Sequence, residues 1–451
     1  ASTLIRPEVD PELGHFLDVS REEYRKHNPS VWQGIKFRLQ PFGRLNRRTR
    51  VLKINLEGEL ALSSTPEPFQ KIPLSLTALI KAIKTAAHDP RIKAVLINVG
   101  LLEASLSAIM EVRRAMDYFS QSGKPLWGFS PGILTINELC FLGGCTKVVA
   151  VPEAYVSFTG FSLGAGFYRG IFDKIGIEPQ IRRIGEFKSF GDAYARDSMS
   201  AAQKEVTQYL LSAVSDFKLG LLARDAGKSP ADLEALYDSG PVTVRMLQNF
   251  GLIDDLLYED EMLTQLSLQR KRAAEKEEEG AAKDSLRLPR KPAKVYDPSR
   301  MMVGLPRYLK RLRALPVEGV PGDKGDKTVA IILADGAIVS AAAGGLPGGG
   351  PTLLLVDVFR KQVQAVIREP GIRGVVIRVN SPGGDALASD LMWREVRRLR
   401  EAGKVVVASV AGVAASGGYY IAMACEKIVC DELSITGSIG VVQSKFALGE
   451  L

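Results

Sequence analysis

One domain-sized pattern occurs twice in this chain, and that repetition limits the fold more than any other feature. VLKINLEGEL at Val51 matches VAIILADGAI at Val329, with Gly58 and Gly336 in equivalent places at an offset of 278. HDPRIKAVLINVG (His88 to Gly100) matches REPGIRGVVIRVN (Arg368 to Asn380) at an offset of 280. SGKPLWGF then matches AGKVVVAS, CTKVVA matches CEKIVC, and FTGFS at Phe158 matches ITGSI at Ile435. Chance can supply one such match but not a collinear series, so the pattern implies a tandem duplication of a folded unit. A chain of 451 residues has room for two or three domains.

Within each copy, short β-branched runs alternate with helical patterns. Val95–Val99, Val375–Val379 and Val405–Val410 read as buried strands. LTALIKAIKTAAH and DLMWREVRRLREAG read as helices, the second with Leu391, Val396 and Leu399 on one face. Strand–helix alternation predicts parallel strands joined by crossover helices, an α/β fold. Ser200 caps a long helix that stops at Gly227, and Ser229-Pro230 opens another. The expected division is an N-terminal basic arm over 1–50, a first unit over 51–258, a charged linker over 259–327 and a second unit over 328–451. The first copy runs about 90 residues past its TG dipeptide while the chain stops at Leu451 soon after the second TG, so the second unit is expected to be C-terminally truncated.

Composition narrows the class. The chain is 46% hydrophobic and 24% charged, values of a folded protein, and no apolar run reaches the ~18 residues of a spanning helix. It begins Ala1-Ser2-Thr3 with no apolar signal core and reads as a mature or trimmed form whose membrane contact is peripheral. The net charge of +8 suits nucleic acid, an anionic membrane surface or plain solubility. Trp32 to Arg50 mixes basic and aromatic residues as a membrane-surface segment does, but Pro41 and Gly43 break any long amphipathic helix, which suits a solvated arm equally well. Gln269 to Arg290 is charged throughout and reads as a solvated helix or linker. AAAGGLPGGGP (Ala341 to Pro351) reads as a loop; as a phosphate cradle it lacks the following Lys-Ser/Thr. Cys140, Cys145, Cys425 and Cys430 sit in apolar surroundings with no Cys-x-x-Cys or nearby His, which predicts buried reduced thiols and no metal site.

The two copies diverge where chemistry is expected. The second has NSPGGDALASD (Asn380 to Asp390) where the first has GLLEASLSAIM. The second also has GVAASGGYYIA, with Ser416 flanked by two alanines and by Gly417 and Gly418; the first has Ile136 at the serine position. A hydroxyl so placed lets backbone amides and a substrate carbonyl come close, as a nucleophilic serine requires. Amides near Gly384 and at Gly417 would then hold an oxyanion, a contribution of ~10²–10³ in rate per donor. A tight strand–helix turn explains Ser-Pro-Gly-Gly alone, but less easily both motifs one strand–helix–strand apart. Such a serine needs a base. None of His15, His27 and His88 lies in the second copy, which leaves a lysine of lowered pKa, and composition does not choose among the lysines.

The pattern SPGGDALASDLMWREV, VAASGGYYIAMA, TGSIGVV resembles the signal peptide peptidase A (protease IV) family of serine proteases, particularly its plant and algal chloroplast members. The resemblance covers about Val51 to the C-terminus. It implies two crotonase-like (Clp protease-like) units and a Ser–Lys dyad split across the duplication. GEFKS identifies the base as Lys188, the oxyanion donors fall on Gly384 and Gly417, and a serine contacting the lysine amine falls on Ser438. It further implies no cofactor and no nucleic acid, a homo-oligomer (a tetramer in the family), thylakoid association, and peptide substrates such as signal peptides or unfolded, membrane-released polypeptides. The rival readings are a crotonase-type acyl-CoA enzyme, which would not require Ser416 or Lys188, and a truncated, non-catalytic membrane-associated binding protein.

Overall fold

A computed structural model describes residues 50–62, 74–268, 302–314, 328–340 and 353–448. The N-terminal arm up to residue 49, the charged run Gln269 to Arg290 and the glycine-rich stretch Ala341 to Pro351 lie outside the described residues. The structure is α/β with mainly parallel sheets. The chain divides into two compact units that cut across the sequence boundaries. One is drawn from Ala1–Ala104, Ile109–Thr159 and Lys218–Val317, the other from Ser105–Ala108, Gly160–Phe217 and Glu318–Leu451.

The first unit contains a parallel sheet in the order Met302–Gly304, Arg50–Ala61, Ile92–Glu103, Leu126–Ser130, Lys147–Ala150, Asp255–Leu256. Its inner strands are buried on both faces, which is why they read as near-continuous apolar runs rather than as alternating ones. The helix Leu76–His88 starts at Ser75, whose side chain accepts the Ala78 amide at 3.3 Å, and buries Leu76, Leu79, Ile83 and Ala86. The segment 259–327, expected as a charged linker, supplies the edge strand Met302–Gly304 and the helix Leu305–Ala314, in which Tyr308 is buried beside Asp89. No described helix is long and apolar enough to cross a membrane.

The second unit contains a parallel sheet in the order Thr328–Asp335, Ile372–Ser381, Val405–Ala415, Lys427–Val429, with Ile435–Gly437 paired to the far end of Val405–Ala415. Val356–Arg368 and Ala386–Glu401 are the crossover helices; they bury Phe359, Val363, Met392, Val396 and Leu399 against Ile377, Val379 and Val406. A separate antiparallel ribbon joins Ile177–Ile184 to Val441–Leu448 in the same unit. Phe359 is fully enclosed, so Phe359→Ala is expected to cost about 3–5 kcal/mol, read as a lowered denaturant midpoint at unchanged slope.

One expectation needs adjustment and another holds. All four cysteines are free thiols, but only Cys140 and Cys425 are buried; Cys430 is exposed at the end of the Lys427–Val429 strand, whose three residues are all exposed. Its apolar sequence neighbours face outward with it. In the described part, the long helix after Ser200 runs from Ala201 to Asp225 and the next from Pro230 to Asp238, with Ser229 forming a capping box with Asp232.

Candidate active site

Ser416 occupies the single residue between the strand Val405–Ala415 and the helix Gly417–Ala422. Its backbone has φ 52 and ψ −116, far from either neighbouring element. Ser416 and Ser438 are the non-glycine residues with positive φ among those described. Such a conformation costs of order 1–3 kcal/mol and persists only where the surroundings impose it. Here they do. The Ser416 amide donates to Gly437 O at 2.9 Å, and its carbonyl accepts from the Tyr420 amide at 2.9 Å.

The flanking glycines are required by close packing. A Cβ on Gly417 would overlap the Oγ of the buried Ser389, and one on Gly418 would overlap the carbonyl oxygen of Ser381. From the other side comes the Ser-Pro-Gly-Gly turn. A Cβ on Gly383, which has φ 98, would lie 2.6 Å from Gly417 N and 2.7 Å from Ser416 Cβ. The turn therefore lies directly against the Ser416–Gly417 peptide. Gly384 bridges to Ile338: the Ile338 amide donates to Gly383 O at 2.9 Å and the Asp385 amide to Ile338 O at 2.9 Å. Because backbone groups alternate in direction along an extended segment, the Gly384 amide points away from Ile338. The Gly417 amide is the first of its helix and has no carbonyl four residues back to donate to.

Lys188 arrives by the antiparallel ribbon, in the same unit as Ser416. The ladder ends where Ile184 faces Val441. Beyond it the chain turns at Gly185, whose carbonyl accepts the Lys188 amide at 3.2 Å. On the partner strand the chain leads back through Gly440 to Ser438. Lys188 Nζ donates to Ser438 O at 2.7 Å and Ser438 Oγ at 3.0 Å. Only 9% of the residue is exposed, and burial pushes the amine below the ordinary lysine value. Ser438 thus stands between the two groups: its neighbour Gly437 holds the Ser416 amide, and Ser438 itself holds the Lys188 amine. Among the described residues no hydrogen bond joins Lys188 to Ser416 directly.

All five residues singled out from the sequence (Lys188, Gly384, Ser416, Gly417 and Ser438) fall in one unit. Sequence reading passed over Gly383 and Ser389, which press on the Ser416–Gly417 peptide. Gly383 was visible as half of the glycine pair; for Ser389 the sequence carries no signal, since a serine in a helix is unremarkable.

The family model described as peptidase family S49 matches residues 142–272 and 398–451, stretches that contain Lys188, Ser416, Gly417 and Ser438. The chain is 35% identical over 439 residues to the chloroplastic serine protease SPPA of Arabidopsis thaliana, 96% of this chain and 60% of the relative. It is 26% identical over 381 residues to protease 4 of Haemophilus influenzae, 82% of this chain and 56% of the relative. It is also 27% identical over 378 residues to protease 4 of Salmonella typhi, 81% of this chain and 55% of that protein. The chain is thus similar to peptidase family S49 over the stretches that carry Lys188 and Ser416. It spans somewhat more than half the length of these curated relatives. The S49 match does not extend over the Ser-Pro-Gly-Gly turn, which the structure nevertheless sets against Ser416.

Proposed function

We propose that this chain is a serine endopeptidase working through Ser416 and Lys188. The observation that carries the reading is the enclosed Lys188 amine, hydrogen-bonded to Ser438 one residue from the carbonyl that holds the Ser416 amide. An uncharged amine has two N–H groups and one lone pair. Ser438 accepts both N–H groups, which leaves the lone pair to take a proton. Ser416 Oγ attacks a peptide carbonyl and its proton passes to Lys188 Nζ. The amides of Gly384 and Gly417 receive the oxyanion. The Lys188 ammonium then protonates the leaving amine, the C–N bond breaks, and water hydrolyses the acyl-enzyme with Lys188 again as base.

The finer fold reading is a duplicated crotonase-like (Clp protease-like) unit. The strand registers support it: Val95 faces Leu126 and Val375 faces Val406, Trp127 faces Lys147 and Val407 faces Lys427, Ile133 faces Tyr155 and Val413 faces Ile435. Each second pair lies 280 residues after the first. The name of the chloroplastic Arabidopsis thaliana relative supports a chloroplast setting, and that of a putative signal peptide peptidase from Enterococcus faecium supports signal peptides as substrates; unfolded or membrane-released polypeptides, peripheral thylakoid association and homo-oligomeric assembly are proposed alongside them.

The test is labelling with a fluorophosphonate, read by intact mass and peptide mapping. The adduct is expected on Ser416 and absent from Ser416→Ala. Labelling elsewhere, casein cleavage undiminished in Ser416→Ala, or protection by acyl-CoA with no peptidase activity would overturn the reading, the last in favour of an acyl-CoA enzyme.

A further inference from the structure

We infer that Asn380 is a positioning residue for Ser416: its side-chain amide fastens the widened part of the Val405–Ala415 strand from which the serine projects. The inference deepens the Ser–Lys reading and rests on it for the serine's role. The register carries the argument. Val379 faces Val410 but Ser381 faces Ala414, so the three residues Ala411–Val413 stand opposite Asn380 alone. Extra residues on one strand leave backbone groups without ladder partners. Asn380 Oδ1 accepts the Gly412 and Val413 amides, each at 3.2 Å. Its Nδ2 donates to Asp335 Oδ1 at 2.9 Å, from the residue facing it on the neighbouring strand. Two N–H donors on one side and a carboxylate on the other leave the amide one sensible orientation. Ser434 Oγ completes the arrangement by donating to Ala411 O at 2.7 Å.

With these groups satisfied, the strand runs unbroken from Val405 to Ala415, pairs with Ile435–Gly437 over its last three residues, and delivers Ser416 to Gly437 O. The first sheet shows what happens without the amide. Gly100 stands at the position of Asn380. There the strand Leu126–Ser130 ends, Pro131 and Gly132 form a bend, and pairing resumes only at Ile133–Thr135. The following helix begins at Thr135 with relaxed extended geometry, φ −99 and ψ 176, and a capping box with Glu138. The copy with glycine in place of the asparagine thus has a broken strand and an unstrained helix start.

Asn380→Gly is expected to slow fluorophosphonate acylation of Ser416 and lower kcat by about 10- to 100-fold with KM changed less than about twofold, because misplacing a reacting group costs rate rather than substrate affinity. Asp335→Asn keeps an acceptor for Nδ2 and is expected to restore near-wild-type acylation, whereas Asp335→Ala, which frees the amide, is expected to resemble Asn380→Gly. A crystal structure of Asn380→Gly is expected to show Ser416 relaxed to negative φ. Acylation at the wild-type rate in both Asn380→Gly and Asp335→Ala, or Ser416 still at φ near 52 in the variant, overturns the inference. If Asn380→Gly does not fold, Asp335→Ala carries both measurements. Wild-type protein that the phosphonate does not label defeats the Ser–Lys reading instead, and the φ of Ser416 in the variant still decides the role of Asn380.

Discussion

Lys188→Met is expected to lower kcat/KM for an unfolded polypeptide by about 10³-fold while leaving the fold intact, because methionine fills a similar volume and only the proton acceptor is lost. A positioned general base contributes typically about 10²–10⁴ in rate, and a serine hydroxyl is a poor nucleophile without one. Lys188→Arg is expected to be no better. The guanidinium keeps its charge at any pH a protein tolerates, so it can donate to Ser438 but cannot take a proton from Ser416. The wild-type pH profile follows from the same amine. Burial holds Lys188 below the ordinary lysine value, which favours the neutral form. The rate of acylation therefore rises with pH as the ammonium loses its proton, and the midpoint lies below that of an exposed lysine. Lys188→Arg retaining activity, or a rate independent of pH across the neutral and alkaline range, would remove Lys188 from the chemistry. Acylation rates across pH with a chromogenic ester settle both points.

The parts of this molecule that were legible in sequence are those fixed by local patterning. The strands at Val95, Val375 and Val405 were visible as β-branched runs, and the helix starts at Ser200 and Ser229 as caps, because burial and capping act over a few residues. The turn at Ser416 was legible for the same reason: flanking glycines mark a place where other chain comes close. Lys188 was not legible from composition. Its amine meets Ser438 across 250 residues of sequence, through an antiparallel ribbon between Ile177–Ile184 and Val441–Leu448. Nothing local announces such a pairing, and only family resemblance selected this lysine. The edge strand Met302–Gly304 escaped for a related reason. Three residues among charged neighbours carry too little apolar periodicity to be read, and pairing to Val51–Lys53 makes them a strand. Asn380 lay in plain view beside the Ser-Pro-Gly-Gly turn, but its function depends on a register shift that only coordinates reveal.

Gly383→Ala is expected to lower kcat by about 10³-fold, an effect near that of losing the base, though the glycine contributes no reacting group. A methyl at this position would stand 2.6 Å from Gly417 N, 2.7 Å from Ser416 Cβ and 2.9 Å from Ala415 O. None of these atoms can yield without moving the Ser416–Gly417 peptide, since Ser389 and Ser381 already press on Gly417 and Gly418 from the far side. In the proposed mechanism, displacement of that peptide shifts the nucleophile and one oxyanion donor together. A misplacement of about 1 Å costs roughly 10² in rate, and loss of an oxyanion donor roughly 10²–10³. Positive φ alone does not account for the prediction, and Gly403 separates the two causes. It has φ 75 in the same unit, but a Cβ there would meet nothing within 4 Å. Gly403→Ala therefore bears the backbone strain without the collision. It is expected to cost about 1 kcal/mol of stability and to keep full activity. Thermal melts and active-site titration of both variants distinguish the alternatives. If Gly383→Ala and Gly403→Ala lose stability equally and both stay active, the turn is not what holds Ser416 in its reactive conformation.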